Sequence, residues 1–373
     1  ENDERLGTYI AELINYHQKI IIELFPDKKH PAHFKTDLLF GELEGYLESP
    51  PSLQYDYDYD QVVSFGELIS TTIVSEFLAK ERLNCHWFDV RELVRTDNTW
   101  REGKVDWKIT EKQISEKVSA FLDQSEGSPA IALTQGFMGA TPGGDTTTLG
   151  REGSDYTAAI FAYALQADEM VIWKDVPGLL NADPKYFSRT EKLASISYRE
   201  AIELSYYGAT IIHPKTIKPL QNKDIPLRIK SFVKPGDEGS IIQNDTAADS
   251  LIPSFIFKVD QVLISIIPRD FSFIDEQSLS EILAVFASNS IHISLMQNSA
   301  ISFSVCVDNN QRKLSRLFEE LGKDYKVRYN TGLELITIRH YDQATIDRVM
   351  EDGKTVLLEM RSRLTAQFVA RPH

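Results

Sequence analysis

Two segments of this sequence combine residue types whose spacing suits chemistry on a small anion. The first, residues 135–155, holds six glycines, four threonines and one arginine, Arg151, immediately before a helix-like stretch. Glycines let backbone N–H groups approach a phosphate or carboxylate closely, and a helix opening at Ser154 or Asp155 supplies unpaired donors and a positive dipole end. Arg151 suits a bidentate grip on a carboxylate. The same composition also describes a flexible surface loop in which Ser154 is an ordinary N-cap. No P-loop pattern is present. The second segment, Lys174-Asp175-Val176-Pro177-Gly178 with Asn181-Ala182-Asp183-Pro184-Lys185, sets two lysines and two aspartates at the end of a buried-looking strand. Such a loop can hold a nucleotide and its magnesium, or be a turn and nothing more.

Other candidates carry plainer readings. Glu67 stands three residues after Ser64, the spacing of a capping box, so a structural role competes with that of an acid gripping a substrate ammonium group. His30 and His33 lie in a Pro-broken loop without a third ligand nearby, and His213 before Pro214 reads as a packing or capping residue. No catalytic triad or metal cluster emerges. Phosphoryl transfer to a carboxylate needs neither, because an aspartate side chain is already ionised at neutral pH; positioning and charge neutralisation suffice.

The elements that must position these residues follow from periodicity. Residues 5–48 are helical, broken by Pro26 and Pro31, with Leu6, Ile10, Leu13, Ile14 and His17 on one face. The alternating Tyr55–Asp60 stretch reads as a solvated loop, after which Ser64 opens a long helix bearing Ile69, Ile73, Phe77 and Leu78. Strands are expected at 85–90, 130–134 and 170–173, the last two running directly into the candidate segments. This alternation predicts an α/β domain with a mostly parallel sheet, ligands binding beyond the strands' carboxyl ends. A polar, breaker-rich passage at 234–253 marks the domain boundary, separating a domain over 1–245 from one over 252–373. The second domain reads β-α-β-β-α-β, with strands at 262–267, 291–296, 301–307 and 326–329 and helices at 278–287 and 313–321. A partial second pass follows at 335–370, so two tandem ferredoxin-like units are expected.

Composition bounds the rest. At 373 residues, with 42% hydrophobic and 25% charged residues, the chain should fold into at least two domains. A net charge of -15 argues against a broad nucleic-acid surface. Cys85 and Cys306 lie far apart with no CxxC pairing, which fits a reducing cytoplasm. No apolar run approaches the length of a membrane helix, and no leader pattern opens the chain, so a soluble protein without a membrane partner is expected.

Residues 134–155, 174–184 and Tyr207-Gly208-Ala209-Thr210-Ile211-Ile212-His213-Pro214 together resemble the aspartokinase family, as do Ser64–Ser70 and Trp87–Arg91 upstream. The C-terminal units look like that family's paired ACT domains. The resemblance implies an amino-acid-kinase αβα sandwich, a homodimer or larger assembly built through ACT domains, and formation of 4-phospho-L-aspartate from L-aspartate and ATP with Mg2+. Carried over by motif, Arg151 clamps the substrate carboxylate and Glu67 its ammonium group, with Phe137, Gly153 and Ser154 lining the pocket. Asp155 sits beside the transferring phosphoryl group. Lys174, Asp175, Lys185, Thr210 and Ile211 border the nucleotide. Ser294 and Ser299 fall in the effector pocket, where Ser294 and Ala300 replace the acidic residues of lysine-inhibited relatives; a cationic effector would lack partners there, so threonine, or no effector at all, stands beside lysine.

This sequence departs from the family at Glu152, usually glycine, at Lys174, usually serine or threonine, at Leu180, often tyrosine, and at Thr210, often lysine. The family's opening strand and Lys-Phe-Gly-Gly-Thr motif have no match, so the expectation is that one strand-helix-strand unit is missing ahead of Glu1. A non-catalytic regulatory or assembly chain is therefore the alternative to a kinase. A fusion to homoserine dehydrogenase is not expected, because no dinucleotide-binding fingerprint follows the ACT-like units.

Overall fold

The computed structural model describes residues 5–125, 128–187, 189–209, 212–270, 272–351 and 353–372. They form two compact units, 1–172 with 212–227, and 173–211 with 228–373.

The first unit opens with α1 (Leu6–Leu24), α2 (Pro31–Glu48) and α3 (Tyr55–Lys80). Pro31 takes the first position of α2, where a missing N–H costs nothing, and His30 Nδ1 caps the helix by accepting from Ala32 N–H. The apolar face expected on α1 is buried in part: Ile14 packs against the cluster of Ile21, Phe25, Phe40, Ile69 and Ile73, and His17 meets the Phe40 ring, while Leu6 and Leu13 are exposed.

Two further expectations fail at α3, and for one reason. The helix starts at Tyr55, so the Tyr–Asp alternation is its first turns and not a solvated loop. Ser64 is consequently interior, its hydroxyl donating to the Gln61 carbonyl at 2.8 Å, and Glu67 is no capping residue. The early start is explained by Asp60, fully buried one turn above Ser64. Its carboxylate accepts from Arg101 N–H at 2.8 Å, Thr148 N–H at 3.0 Å and the Thr148 hydroxyl at 2.8 Å, drawing α3 onto the strand that carries Thr148. By length and composition α3 is apolar enough to cross a membrane, contrary to the sequence reading. Its buried Asp60, Ser64, Thr71, Thr72 and Glu76 mark it instead as an interior helix of this unit.

β1 (Cys85–Phe88) then pairs in parallel with β2 (Ile131–Thr134) across a helical connection, α4 (Trp107–Ile114) running through a π-turn into α5 (Ala120–Asp123). A short antiparallel hairpin, β3 (Met138–Ala140) with β4 (Thr146–Thr148), precedes α6 (Gly153–Leu165). Val90, Val94, Ile114, Met138, Leu149 and Ile160 form the core between them.

β5 (Met170–Lys174) carries the chain into the second unit, which continues with the hairpin β6 (Leu179–Leu180) and β7 (Lys192–Leu193), then β8 (Ser195–Ser197) and α7 (Tyr198–Tyr207). α8 (Pro214–Lys223) returns to the first unit, and β9 (Leu227–Ser231) and β10 (Ser240–Gln243) complete a sheet ordered β5-β9-β10-β8. The fold is α/β as expected. Its sheets are mixed, the parallel pairs β1–β2 and β8–β10 standing beside antiparallel hairpins.

Beyond this the chain forms β11 (Ser254–Pro268), α9 (Glu276–Ser288), β12 (Ile293–Asn298), β13 (Phe303–Asp308), α10 (Gln311–Leu321), β14 (Tyr325–Arg339), α11 (Gln343–Met350), β15 (Thr355–Arg361) and β16 (Thr365–Arg371). The expected strands at 326–329 and 335–339 are one strand, β14, paired antiparallel with β11 from Ser254↔Arg339 to Pro268↔Tyr325. The two ferredoxin-like units therefore share both long strands in one six-stranded sheet, β12-β13-β11-β14-β16-β15. Side-chain caps at Asp275, Asn310 and Asp342 set where its three helices begin.

A buried ion pair joins α7 to this sheet. Arg339 donates to both Glu200 oxygens, at 3.1 and 2.6 Å, and to the Thr365 hydroxyl at 2.7 Å, while His340 Nε2 lies 3.2 Å from Glu200. Burial alone would raise the Glu200 pKa. Hydrogen bonds and charge from His340 and Arg339 outweigh it and hold the carboxyl below its ordinary value.

Asp60→Ala, which strands two backbone donors and a hydroxyl, is expected to lower the first unit's stability by about 2–4 kcal/mol, read from urea unfolding; an unchanged midpoint would remove Asp60 from this role. For Glu200 the depressed pKa means a contribution fully present above the unfolded value of 4.5 and lost as pH falls through the folded one. Glu200→Gln should therefore be less stable than the unsubstituted protein at about pH 7, and the gap should narrow towards pH 3.

Candidate active site

The glycine-rich segment is held by specific hydrogen bonds and close backbone packing against the start of α6. After β2, the buried Gln135 side chain accepts from Val90 N–H at 2.8 Å and donates to the Thr71 hydroxyl on α3 at 3.0 Å. Gly136 and Phe137 then turn directly onto the first residues of α6. A Cβ on Gly136 would fall 2.8 Å from Ser154 Oγ and 3.0 Å from its Cα; one on Gly153 would fall 2.7 and 2.9 Å from Phe137 Cβ and Cα. Two glycines thus permit a backbone-to-backbone approach that any other residue prevents. Phe137 takes a left-handed conformation, φ 53°, and its N–H is received by the Thr157 hydroxyl at 3.0 Å.

The helix starts at Gly153, so neither Ser154 nor Asp155 opens it. Glu152 occupies the N-cap position at φ 54°, a conformation that favours the glycine usual there in the family. Its carboxylate accepts from His213 N–H at 2.7 Å, which turns that negative charge towards the start of α8. His213 itself caps α8 through Nδ1, and burial followed by the nearby Lys215 charge lowers its pKa, keeping the ring neutral at pH 7.

A cavity of about 610 Å³ opens beside this turn, lined by Asp56, Tyr59 and Val63 of α3, by Trp100 and Arg101, and by Phe137 and Arg151. Arg151 is largely exposed at its rim. Glu67 lies one turn beyond Val63 and one turn before Thr71, the residue held by Gln135, so it follows the cavity-lining face of α3. Gly153 and Ser154 contact Phe137 and Gly136, and Asp155 is half-buried in the first turn of α6.

Sequence reasoning missed Arg101. Its guanidinium lies over the Tyr59 ring at 4.5 Å, with Nη1 3.3 Å from Asp56. The signal available was the turn-rich run Thr96–Gly103, whose backbone carries Arg101 at φ 64° onto Asp60.

The second candidate segment surrounds a cavity of about 440 Å³ in the second unit, bringing Lys174, Asp175 and Lys185 together. Leu180 also lines it, with Gly208 and Ala209 after α7 and Ser254–Phe257 of β11. Thr210 and Ile211, directly after Ala209, lie outside the described residues. Asn181 fastens the loop to β11: its side chain donates to the Pro253 carbonyl at 2.9 Å, and its carbonyl accepts from Phe255 N–H at 2.7 Å. Residues 183–185 do make a turn, with Lys185 N–H donating to Asp183 at 2.9 Å, but one that faces a cavity.

The model of the amino acid kinase family matches residues 11–231, more than half of the chain. The chain belongs to the amino acid kinase family. Within that family it is 30% identical over 287 residues to lysine-sensitive aspartokinase 3 of Escherichia coli, covering 75% of this chain and 62% of that protein. To aspartokinase 1, chloroplastic, of Arabidopsis thaliana it is 28% identical, covering 75% of this chain and 50% of that protein. The chain therefore spans between half and two thirds of the length of these relatives. Its fold matches the crystal structure of E. coli aspartokinase III in complex with aspartate and ADP, with TM-score 0.80 and 26% identity, over 100% of this chain and 84% of that one. The same enzyme in complex with lysine and aspartate gives TM-score 0.78 at 26% identity, over 99% of this chain and 84% of that one.

Of the candidates, Phe137 and Arg151 line the first cavity and Lys174, Asp175 and Lys185 the second; Ser294 and Ser299 line neither. Ser294, on β12, accepts from Lys258 Nζ at 3.1 Å, and Ser299, just past the strand, bonds within its own turn to Ser302. Among the described residues, no three or more His, Cys, Asp or Glu are grouped to hold a metal ion.

Gly153→Ala is expected to cost roughly 1–3 kcal/mol in urea unfolding, since its methyl must displace the Phe137 backbone. A variant as stable as the unsubstituted protein would show that the two segments are not in such close contact.

Proposed function

We propose that this chain is the greater part of an aspartate kinase, transferring the ATP γ-phosphoryl group to the side-chain carboxylate of L-aspartate. The observation that carries the reading is the locked turn, Gly136–Phe137 against Gly153–Ser154, which holds Arg151 at the rim of a cavity whose helical wall continues to Glu67. The E. coli relative whose structure holds aspartate and ADP, at 26% identity across the whole chain, supports the same reading.

In this mechanism Arg151 grips the aspartate α-carboxylate by a two-pronged hydrogen bond and Glu67 receives its ammonium group. Phe137, Gly153 and Ser154 wall the substrate. An oxygen of its ionised side-chain carboxylate attacks the γ-phosphorus, the bond to the β–γ bridging oxygen breaks, and ADP leaves with that electron pair. No general base is required. Asp155 lies beside the transferring group, and Lys174, Asp175 and Lys185, with Thr210 and Ile211, border the nucleotide. Lysine ammonium groups offset the phosphate charge that grows on the departing ADP.

Magnesium bound with ATP would supply further charge neutralisation. The donor set fits it: Asp175 and Asp183 line the second cavity, and Mg2+ commonly takes only one or two protein carboxylates beside the nucleotide phosphates.

Residues 1–245 serve catalysis and 252–373 sense an amino acid, threonine or lysine. Homodimers or larger assemblies form through the C-terminal sheet, a role supported by apolar side chains left exposed on its edge strands, Met296 on β12 and Val356, Leu357 and Met360 on β15. Unpaired Cys85 and Cys306 suit a reducing, cytoplasmic setting.

The test is a coupled assay for ADP release with L-aspartate and MgATP, on this chain and on a form extended at its N-terminus. Aspartate-dependent ADP release is expected from the extended form, and its absence from both would leave the regulatory-chain alternative. Arg151→Ala should raise KM for aspartate by roughly 10–100-fold with nucleotide affinity nearly intact. An unchanged aspartate KM would remove Arg151 from the substrate site.

A further inference from the structure

Lys258 connects two parts of the second unit that its own strand does not join. It follows directly on β11 after Ser254–Phe257, the stretch that walls the 440 Å³ cavity. Its side chain crosses the end of α7. A Cβ built on Gly208 would fall 2.4 Å from Lys258 Cε and 3.3 and 3.4 Å from its Cγ and Cδ, so the lysine methylenes fill the place that a side chain at 208 would take. Gly208 ends α7 at φ 110°, and both it and Ala209 line the cavity.

The ammonium group then reaches the Ser294 hydroxyl on β12, at 3.1 Å. β12 is not a neighbour of β11, since β13 lies between them. Both ends of this hydrogen bond sit at irregularities in strand pairing: the β11–β14 register shifts between Lys258 and Gln261, and the β12–β13 register shifts between Ile293 and Leu295. A bulge re-aims side chains out of the regular alternation, which is what a bond spanning an intervening strand needs.

We propose that Lys258 is a positioning residue for the nucleotide, its methylenes bracing the Gly208–Ala209 backbone and its ammonium holding that brace in place through Ser294. The proposal rests on the reading of this cavity as the nucleotide site. It makes a hydroxyl on β12, a strand that supplies nothing to the cavity wall, a determinant of nucleotide affinity. Coupling of this kind is reciprocal: nucleotide in the cavity also strengthens the Lys258–Ser294 bond.

The test is isothermal titration of the full 373-residue chain with MgADP, with unfolding midpoints taken on the same samples. Ser294→Ala and Lys258→Met each remove the hydrogen bond but leave the packing, and each should weaken ADP binding by roughly threefold. Combined, they should weaken it no further than one alone, because they remove one shared interaction. Lys258→Ala, losing the methylenes too, should weaken binding by roughly tenfold. A structural role without positioning would lower unfolding midpoints and leave ADP affinity alone; that result, or independent effects of the two single variants, overturns the proposal. Lys174→Ala separates the two levels. If the unsubstituted chain binds no ADP, or Lys174→Ala binds it equally well, the cavity reading fails and this proposal with it. If Lys174→Ala weakens binding while the Lys258 and Ser294 variants do not, the role of Lys258 alone is refuted.

Discussion

The approach of two backbones, Gly136–Phe137 at the end of one strand and Gly153–Ser154 at the start of a helix, is the constraint on which the first unit's site depends. Because no side chain separates them, Phe137 must adopt a left-handed conformation and the chain between must loop out as the β3–β4 hairpin and return. That return places Arg151 at the cavity rim and Glu152 where only a strained backbone fits. The strain is held by the Glu152 bond to His213 N–H. From the other side Asp60 ties α3 to Thr148 in the same hairpin, so the helix bearing Glu67 and the turn bearing Arg151 are referenced to one short element.

In the second unit the comparable role falls to β11. Its first residues receive the Asn181 loop and wall the cavity, its middle carries Lys258, and its remainder forms the centre of the C-terminal sheet. α7 is fastened to that sheet by Glu200 and Arg339, both buried. A buried pair of this kind adds little net stability against an apolar replacement, but it is costly to break from one side, and it fixes the orientation of the helix whose end lines the cavity.

What sequence made legible follows the range of the interactions. The strands at 131–134 and 170–174, the capped helices of the C-terminal sheet and the two candidate segments were readable because periodicity, caps and glycines are local signals. The start of α3 was not, since it is set by a carboxylate at 60 meeting donors at 101 and 148, far along the chain. Alternating tyrosine and aspartate looked solvated for want of those partners. Arg101 was invisible for the same reason, its place in the cavity being fixed through Asp60. Ser64 and Glu67 have the spacing of a cap, and only the helix turns ahead of them exclude it. The joining of 326–329 and 335–339 into one strand depends on a partner, β11, which is equally long.

Those two shared strands bear on how such a protein can be rearranged by recombination. Each ferredoxin-like half borrows part of β11 and part of β14, so no crossover point between the halves falls in a loop; every cut divides a strand whose other portion belongs to the neighbouring half. Removing either half would therefore leave part of β11 and part of β14 without the strand that pairs with it.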